Sequence, residues 1–588
     1  MARTKIICTI GPSVQNYDKI CALIDAGMNV ARLNFSHGTH DEHQRVIDLL
    51  KSARREKKVP LAIMLDTKGP EIRVGKIKNG FIDLHKGQKL FISAERIEGD
   101  DEQFSIHPSQ VIKDFRIGTK ILFDDGYISS HVIKVLPEGV WIEIDNGGTL
   151  KSGKGVNVPY ASLNLPAITD QDIEDIIFGC KNDVDIIAAS FVRSASHVLV
   201  IKDLLAEQKK SNILVLAKIE NNEGVQNFDH IIQIADGIMI ARGDLGVEVP
   251  FSQVPSLQKM MIRKCYFAGK SSVTATQMLE SMINNPRPTR AEASDVANAI
   301  YDSTSAVMLS GETAVGKYPL ETVATMRSII EEAEKEFNYT GFFEKQASIV
   351  YLDVPSSITS AAVKTAYSSN AQTIFTCTSG GSTARSLARF RPKMPIIALT
   401  HDIKTYNQLA LAWGVTPVYS EPCATISEAF GKLSQFALER ELLHNGDLVV
   451  LTAGTPFGIS GTTNMMMVEN IGEVLVRGHS GVGKKIHGNI VLVFDSESIK
   501  TYEIKNKIIV ITKCDETYMP LIQESLGVIL QNQIEDLESE HALIDLANRF
   551  NKPAIIRADT AMKVLKNGQL VTLDPEKSLI YKGVVLDI

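Results

Sequence analysis

Lys218 and Glu220 close one apolar run of the chain, with a single isoleucine between them, and Asp244 closes the next run. Side chains two residues apart on a strand share one face, so Lys218 and Glu220 are predicted to point at the same mouth. Two converging carboxylates can hold Mg²⁺, which takes one or two carboxylates and completes its shell with substrate oxygens. The spacing therefore favours a magnesium site formed by Glu220 and Asp244 beside a fixed lysine.

Three further features supply groups that bind anions. Arg32 lies at the end of the second apolar run and offers a planar fork for phosphate. The turn around Gly243 exposes amides that can bind an anion, and Thr276 adds a hydroxyl at the end of another run. A metal, a fixed cation and an anion-binding turn, with little covalent machinery, are typical of a phosphoryl-transfer or enolate site.

A second cluster contains four oxygen donors that would suit a monovalent cation such as K⁺: Asn34, Ser36, Asp66 and Thr67. Each pattern alone also has a plainer interpretation. A lone Lys-x-Glu is usually a paired or solvated surface feature, and Asp66 with Thr67 can be only a turn and helix cap. Because five of the eight apolar runs end in such groups, the combination favours function.

The eight runs that must position these residues lie at 4–10, 30–35, 61–66, 186–190, 214–220, 237–241, 272–276 and 306–309. They are rich in Ile, Val and Ala without alternation, which suits strands buried on both faces. Eight strand–helix units close a (β/α)₈ (TIM) barrel, whose chemistry lies at the carboxyl ends of the strands. The predicted fold class is therefore α/β with a TIM barrel.

Three further domains are predicted. Residues 74–165 change to short alternating segments separated by glycine-containing turns, which indicates a small β-barrel lid inserted in the TIM barrel. Residues 356–474 alternate between helix and strand, and a linker at 477–485 leads to a last domain. The predicted boundaries are 1–69 with 170–345 for the barrel, 70–169 for the lid, 346–475 for the α/β domain and 476–588 for the last domain.

Composition excludes several other classes of protein. At 588 residues the chain is too long for one core, and a net charge of −7 gives no reason to expect nucleic acid or a membrane as a partner. No apolar run reaches the ~18 residues that span a bilayer. The seven cysteines lack metal-ligand spacing, and the N-terminal residues do not resemble a signal peptide, so a cytoplasmic location is expected.

Long motifs in the same order make the chain similar to the pyruvate kinase family. They lie at residues 30–38, 65–73, 218–224, 238–248, 275–282, 286–292 and 308–314, and the resemblance covers residues 1–475. It implies the last step of glycolysis, in which phosphoenolpyruvate gives its phosphoryl group to ADP to form pyruvate and ATP. It also implies a homotetramer.

The resemblance assigns roles to the matching residues. Glu220 and Asp244 would hold Mg²⁺ (or Mn²⁺), Lys218 would neutralise the phosphoryl group and the enolate oxygen, and Thr276 would lie beside the enolate carbon. The substrate-binding set is Arg32 for the phosphate, Lys218, Thr276 and the segment Arg242, Gly243 and Asp244, whose amides would receive the substrate carboxylate.

Potassium and nucleotide sites follow from the same resemblance. K⁺ would be held by Asn34, Ser36, Asp66 and Thr67. Glu71 stands where members that do not need K⁺ carry lysine, which indicates the K⁺-dependent type. The nucleotide would be bound by Asn34, His37, Arg73 and Lys154, and closure of the lid would exclude water, which otherwise could accept the phosphoryl group.

A strand–loop–helix turn in the α/β domain carries glycines and hydroxyls at Thr378, Ser379, Gly380, Gly381, Ser382 and Thr383. Such a turn can cradle phosphate at a helix N-terminus. Spacing alone favours a simple capping turn, whereas the resemblance favours a site for a phosphorylated small-molecule activator.

The last domain resembles the phosphohistidine domain of phosphoenolpyruvate synthases and dikinases. Counting back from Pro553 places Ala542, not His541, at the active position. The usual glycine pair is absent, and Glu538 and Glu540 would repel a phosphorylated neighbour. The domain is therefore interpreted as a non-catalytic interface or regulatory piece, with His541 an ordinary histidine at a helix start.

Five positions depart from the family pattern. Ser271 and Ser272 replace Pro and Val, Ser303 and Ser305 replace Gly and Asp, and Tyr160 stands where Gly is common. Two rival functions follow: a phosphohistidine transferase that uses the last domain, and a catalytically impaired paralogue that acts as a regulatory or binding module. The first lacks its Thr-Ser-His turn, and the second would be expected to lose residues such as Lys218, which is present.

Overall fold

The computed structural model describes residues 2–161, 163–347, 353–455, 461–494 and 503–585. The chain forms two compact units. The first comprises Met1–Val363, Thr376–Cys423 and Ala453–Asn464, and the second comprises Lys364–Phe375, Ala424–Thr452 and Met465–Ile588. Within the described ranges, no helix combines the length and the apolar character needed to cross a membrane.

The first unit contains a closed barrel of eight parallel strands. Their bounds are Lys5–Thr9, Val30–Asn34, Ala62–Asp66, Ile186–Ala189, Leu214–Ile219, Gly237–Ala241, Ser271–Ala275 and Ala306–Leu309. Each predicted run coincides with one strand, so the predicted TIM barrel is confirmed. Almost every strand residue is buried, which explains why the runs are apolar without alternation.

Helices and short 3₁₀ turns connect these strands or follow the last of them. The helices are Tyr17–Ala26, His40–Glu56, Asp170–Lys181, Ala195–Glu207, Asn222–Gln226, Phe228–Ile234, Arg242–Glu248, Val254–Phe267, Arg290–Tyr301, Gly311–Ala314, Pro319–Lys335 and Tyr339–Ala347, and the 3₁₀ turns are Phe251–Gln253 and Glu280–Ile283. A capping box with Thr169 and Asp172 begins the helix that restarts the barrel after the lid. Asp172 also accepts the Gly69 N–H at 2.9 Å, which ties the start of the lid to its end.

The insertion after the third strand is a second, smaller closed barrel with its own core, which contains Phe104 and Phe123. Its strands are Ile72–Val74, Lys89–Ser93, Gln103–His107, Lys120–Phe123, Ile128–Leu136, Gly139–Ile144 and Gly155–Asn157, beside the two-stranded sheet of Phe81–Leu84 and Gly148–Lys151 and the 3₁₀ turns Lys78–Gly80 and Ser109–Asp114. The predicted β-barrel lid is therefore confirmed. The turn at Asp125 and Gly126 has φ angles of 53° and 83°, which the Asp-Gly signal anticipates.

The α/β region is divided between the two units. Within the first unit, strands Ile396–Thr400 and Val415–Tyr419 pair in parallel. The second of these strands is absent from the sequence prediction, because Pro417 lies inside it and proline is unusual within strands. The other elements of the region are Val354–Ser368, Thr373–Cys377, Ser382–Ala388, Ile403–Gln408, Leu409–Leu411, Ile426–Glu439, Leu448–Gly454 and Thr463–Asn470.

In the second unit, four parallel strands lie side by side in chain order: Ile486–Leu492, Ile508–Ile511, Gly527–Leu530 and Ala554–Ile556. Antiparallel strands extend this sheet at Val474–Arg477, Ser480–Val482, Leu570–Asp574 and Leu579–Lys582, and the helices are Met519–Glu524, Leu537–Phe550 and Ala561–Val564, with a 3₁₀ turn at Glu516–Tyr518. The predicted linker at 477–485 is wrong. Ser480–Val482 pairs with Ala554–Ile556, so hydrogen bonding to the sheet orders a glycine-rich stretch that its composition alone would leave open.

Candidate active site

A row of four charged side chains crosses the carboxyl mouth of the barrel. Arg32 Nε lies 2.6 Å from Asp66 Oδ2, and Lys218 Nζ lies 2.9 Å from Asp66 Oδ1 and 3.0 Å from Glu220 Oε1. All four residues are buried. The structure therefore brings together groups that the sequence separates by as many as 188 positions, and Lys218 and Glu220 share one face as predicted.

Ser190 completes this row and was missed by the sequence analysis. Its hydroxyl accepts from Lys218 Nζ at 2.7 Å and donates to the Thr67 carbonyl at 2.5 Å. It follows the fourth barrel strand directly, at the same edge as Asp66 and Lys218. Its position directly after a predicted strand is the feature of the sequence that could have identified it as a site residue.

The opposite charges of the row offset the cost of burying each other and so set the charge state of each residue. Burial alone would lower the pKa of Lys218, but the carboxylates of Asp66 and Glu220 outweigh it and raise that pKa. Burial alone would likewise raise the pKa of Asp66, but Arg32 and Lys218 lower it. Lys218 is consequently held as a cation and Asp66 as an anion inside the barrel mouth.

At Glu220 and Asp244, nearby positive charge only partly balances the negative charge of the carboxylate. Burial raises the pKa of Glu220 to about 7, Lys218 opposes this, and the charge of Asp244 adds to it. Burial also raises the pKa of Asp244, which lies in the first turn of helix Arg242–Glu248. A buried carboxylate whose charge is disfavoured by a second, half-buried carboxylate forms with it a donor set that a divalent cation would stabilise.

Thr276 and Gly243 form a fixed pair at this mouth. Thr276 Oγ1 accepts the Gly243 N–H at 2.8 Å and donates to the Ala275 carbonyl at 2.6 Å. Thr276 has a φ of 67°, in the left-handed region that β-branched residues avoid. Such backbone strain is frequent at functional sites, where the surrounding structure enforces it.

Arg242 departs from the role expected for its side chain. Its Nη1 and Nη2 lie 2.8 and 2.7 Å from the two carboxylate oxygens of Asp295, and Nη2 donates to the Thr276 carbonyl at 2.9 Å. The guanidinium is thus engaged in anchoring the turn. The resemblance implied the backbone of 242–244 as the binding group, and within it the Gly243 N–H is bonded to Thr276 Oγ1.

The lid and the barrel mouth border a cleft of about 840 Å³. His37, Arg73 and Lys154 line it, whereas Asn34 is not among its lining residues. The lid cations are engaged by acids: Arg73 lies 2.6 Å from Glu71, and Lys154 lies 2.6 Å from Asp124. The cleft brings three of the four predicted nucleotide residues together beside Asp244.

The predicted potassium ligands lie on two adjacent strands. Asn34 and Asp66 are register partners, and Ser36 and Thr67 follow them in sequence. Asn34 Oδ1 accepts the Ser36 N–H at 3.1 Å, and Thr67 Oγ1 accepts the Ser190 N–H at 3.1 Å. Among the described residues, no group of three or more Asp, Glu, His and Cys side chains is placed to hold a metal, so any metal here would also need other oxygens.

The glycine-rich turn at 378–383 is held by its own hydrogen bonds. Thr378 Oγ1 accepts the Gly381 N–H at 2.9 Å, and Gly381 has a φ of 79°, which favours glycine. Thr405 Oγ1 donates to the Ser379 carbonyl at 2.9 Å. The adjoining cavity is about 60 Å³ and is also lined by Glu421, which would oppose an anion.

Comparison with known proteins gives this geometry a family. The description "pyruvate kinase, barrel domain" matches residues 1–323, and "pyruvate kinase, alpha/beta domain" matches residues 356–469. The chain belongs to the pyruvate kinase family. It is accordingly a phosphotransferase, from a family that uses metal ions.

Similar pyruvate kinases differ in how much of the chain they cover. Those of Staphylococcus epidermidis (strain ATCC 35984) and Staphylococcus aureus (strain MRSA252) are 42% and 43% identical over 586 residues, which is 99% of this chain and of each relative. The crystal structure of a pyruvate kinase from Cryptosporidium parvum has a TM-score of 0.77 and 39% identity, and covers 80% of this chain and 96% of that chain. The staphylococcal pyruvate kinases therefore also match through the last domain.

Proposed function

We propose that the chain transfers the phosphoryl group of phosphoenolpyruvate to ADP, giving pyruvate and ATP, at the carboxyl mouth of the TIM barrel. The observation that carries this proposal is the buried row of Arg32, Asp66, Lys218 and Glu220 beside Asp244, at the edge of a cleft large enough for two substrates. Phosphoryl transfer is catalysed mainly by positioning and electrostatic stabilisation, which such a row supplies without covalent chemistry.

Each residue of the row has a distinct task in the proposed reaction. Lys218 neutralises the phosphoryl group and the enolate oxygen as the bridging bond breaks, because its own charge is held by Asp66 and Glu220. Arg32 binds the phosphate through Nη2, since Nε is bonded to Asp66 and Nη1 to Thr9. The backbone of Arg242, Gly243 and Asp244 receives the carboxylate beside the Gly243 N–H, which stays bonded to Thr276 Oγ1.

Thr276 stands where proton transfer to the enolate carbon is proposed. Its hydroxyl is fixed between the Gly243 N–H and the Ala275 carbonyl, so its orientation is set before the substrate arrives. A rigid hydroxyl of this kind can hold the last member of a proton path in place. We assign Thr276 this role, together with Lys218 and Arg32 as catalytic residues.

Glu220 and Asp244 fit Mg²⁺ or Mn²⁺, because both are oxygen donors whose pKa is raised by burial, completely in Glu220 and partly in Asp244, without enough counter-charge to offset it. A divalent cation bound there supplies positive charge that polarises and orients the phosphoryl oxygens. For K⁺ we propose Asn34, Ser36, Asp66 and Thr67, a set of oxygen donors on adjacent strands.

The nucleotide is assigned to the cleft under the lid, with His37, Arg73, Lys154 and Asn34 as its contacts. Arg73 and Lys154 now pair with Glu71 and Asp124, so binding of phosphates would exchange these carboxylate partners. Closure of the lid would exclude water from the transferring group.

Further assignments rest on the family resemblance. We propose a homotetramer, and allosteric activation by a phosphorylated small molecule at 378–383. The proposed domains are 1–69 with 170–345, 70–169, 346–475 and 476–588, the last of these non-catalytic. A cytoplasmic location is proposed because all seven cysteines are free thiols, as expected in a reducing compartment.

The test is pyruvate formation from phosphoenolpyruvate and ADP with Mg²⁺, with and without K⁺, in wild type and Glu71→Lys. We expect strong stimulation by K⁺ in wild type and reduced stimulation in Glu71→Lys. Glu71→Gln is the matched control, because it also releases Arg73 but adds no positive charge. Equal activity with and without K⁺ would keep the reaction and remove the potassium site. A folded protein without activity in any salt would favour the impaired-paralogue alternative.

A further inference from the structure

Three arginines surround a small cavity below the barrel, far from the row at the mouth. Arg385, Arg389 and Arg391 line it, together with Ser271 at the start of the seventh barrel strand and Ser305 just before the eighth. The cavity volume is about 10 Å³, which is room for a single water-sized particle. None of the described residues that line it is Asp or Glu.

Arg391 is the most deeply buried of the three, with 3% of its surface exposed. Its Nη1 donates to the Ala388 carbonyl at 2.7 Å, and Nη2 donates to the Ser303 carbonyl at 2.8 Å and to Ser305 Oγ at 3.0 Å. Its Nε has no hydrogen-bond partner among the described residues. Arg391 is therefore a buried cation bonded to neutral groups.

Two further observations concern the charges of Arg391 and Arg385. Burial lowers the pKa of Arg391 to about 9, which reflects the cost of keeping a guanidinium charged in this place. Arg385 Nη1 is likewise buried without a hydrogen-bond partner in the part of the chain that the structure describes. Buried charges in proteins are normally paired.

The carboxylates that act electrostatically on these arginines are bonded to other groups; Asp236, which acts on Arg385, binds Lys202 Nζ at 2.9 Å and does not line the cavity. Glu334 acts on Arg391 but binds the Thr4 N–H at 2.7 Å, and Asp353, which is influenced by Arg389, binds the Ser356 N–H at 2.8 Å. Neither lines the cavity.

Ser305 explains how this imbalance arises in the sequence. It stands where the family usually has Asp, and its hydroxyl occupies the bond to Arg391 that a carboxylate would take. Ser272 and Ser305 also bond reciprocally, since each hydroxyl accepts the other's N–H at 3.2 Å. The chain thus offers a neutral hydroxyl where a negative charge would balance Arg391.

We propose that this cavity binds a small monovalent inorganic anion of the chloride class, held by Arg385, Arg389 and Arg391. The size of the cavity excludes phosphate, and the surrounding guanidinium groups favour an anion over a water molecule. The bound anion supplies the negative charge that Ser305 does not, and it stabilises the contact between the barrel and residues 385–391.

The experiment is thermal unfolding of the full chain at constant ionic strength, with sodium chloride exchanged stepwise for sodium gluconate. Wild type is expected to show a saturable rise in Tm with chloride, of about 2 °C. Ser305→Asp supplies an internal carboxylate, so its Tm should no longer respond to chloride. Ser305→Asn is the matched control, similar in size to Asp but uncharged, and should respond as wild type does.

A chloride response that is equal in wild type, Ser305→Asn and Ser305→Asp would overturn the proposal, as would the absence of any response in wild type. If Ser305→Asp fails to fold, crystals of wild type soaked in sodium bromide decide the question. An anomalous peak among the three arginines would support the site, and a water molecule there in its place would refute it.

Discussion

The barrel mouth and the last domain use the same architectural device to different ends. Both place polar side chains at the carboxyl ends of parallel strands. Buried Glu220 directly follows such a strand, and buried Glu540, in the first turn of helix Leu537–Phe550, is bonded to side chains that follow two of them. At the mouth, Glu220 shares one lysine with Asp66. In the last domain, Glu540 has a guanidinium to itself, with Arg557 Nη2 at 2.9 Å and a second bond from Nε, and it also accepts from Asn532 at 2.8 Å.

This difference in partners appears in the two carboxyl groups. Burial raises the pKa of Glu220 to about 7, whereas the hydrogen bond from Arg557 lowers the pKa of Glu540. A buried carboxylate without enough counter-charge is poised to bind a cation, and one with a complete set of bonds is part of the architecture. The comparison indicates that imbalance of buried charge, not a polar strand end as such, marks the reactive region.

The surface of the last domain supports the same distinction. Its cavity of about 950 Å³ is lined by mostly exposed polar residues, and His541 is not among them. His541 is exposed on helix Leu537–Phe550, whose N-cap is Asp536. The sequence prediction of an ordinary helix histidine is consistent with this position.

The largest effect is expected from Lys218→Met, which removes the positive charge at the centre of the row. We expect kcat for pyruvate formation to fall by about 10³-fold, because the charge that develops on the enolate oxygen loses its fixed partner. His541→Ala should leave kcat unchanged within twofold. If the Lys218→Met protein is folded by circular dichroism and keeps a tenth of wild-type activity, Lys218 is not the central charge of the reactive site.

Glu220→Gln should act on the metal rather than on the fold. We expect the Mg²⁺ concentration for half-maximal activity to rise by at least about tenfold, since one of two carboxylate ligands is lost. Glu248→Gln is the matched control: burial also raises the pKa of Glu248, but it binds Asn157 at 2.9 Å and is not a proposed ligand. Equal Mg²⁺ dependence in both variants would remove Glu220 from the metal site.

Arg557→Met should act on stability and not on catalysis. Because Glu540 would stay buried without its partner, the free energy of unfolding should fall by about 2 kcal/mol at pH 7. The kcat should stay unchanged within twofold. The folded-state pKa of Glu540 lies below its ordinary value of 4.5, so its stabilising effect is complete above pH 4.5 and is lost as pH falls. The Tm difference between wild type and variant should therefore narrow in acid, and a constant difference would contradict the assignment.

The smallest effect is expected from relieving backbone strain at one residue in each of the two regions. Ser303 in the barrel and Asn551 in the last domain have φ angles of 72° and 53°. Ser303→Gly should raise the free energy of unfolding by about 1 kcal/mol. Asn551→Gly should raise it by only a few tenths of a kcal/mol, because asparagine tolerates the left-handed region. Chemical denaturation of both variants measures this, and an equal gain at both sites would show that the serine carries no extra strain.

Most of the fold follows from the sequence because apolar periodicity and turn residues are local signals. The eight barrel runs and the lid turns are of this kind, whereas the pairing of Ser480–Val482 with Ala554–Ile556 is long-range and leaves no local mark. Tyr160 and Ser303, which replace glycine, both have positive φ angles. The family preference for glycine thus reflects the backbone at these two positions.

The sequence allowed the residues of the site to be predicted, but not the hydrogen-bond and ion-pair partners of their side chains. Position at a strand end identified Lys218, Glu220 and Asp244. That the Arg242 guanidinium binds Asp295, or that Ser190 joins Lys218, depends on contacts between distant segments that spacing does not encode.

The most direct test of the central claim follows the phosphoryl group itself. We would mix the full-length protein with Mg²⁺, K⁺, ADP and phosphoenolpyruvate labelled with ³²P, quench within one turnover, and separate nucleotide from protein. Direct transfer at the barrel mouth predicts label in ATP and none on the protein. Acid-labile label on the protein that appears before ATP, and that disappears in His541→Ala, would contradict this account and place the chemistry in the last domain.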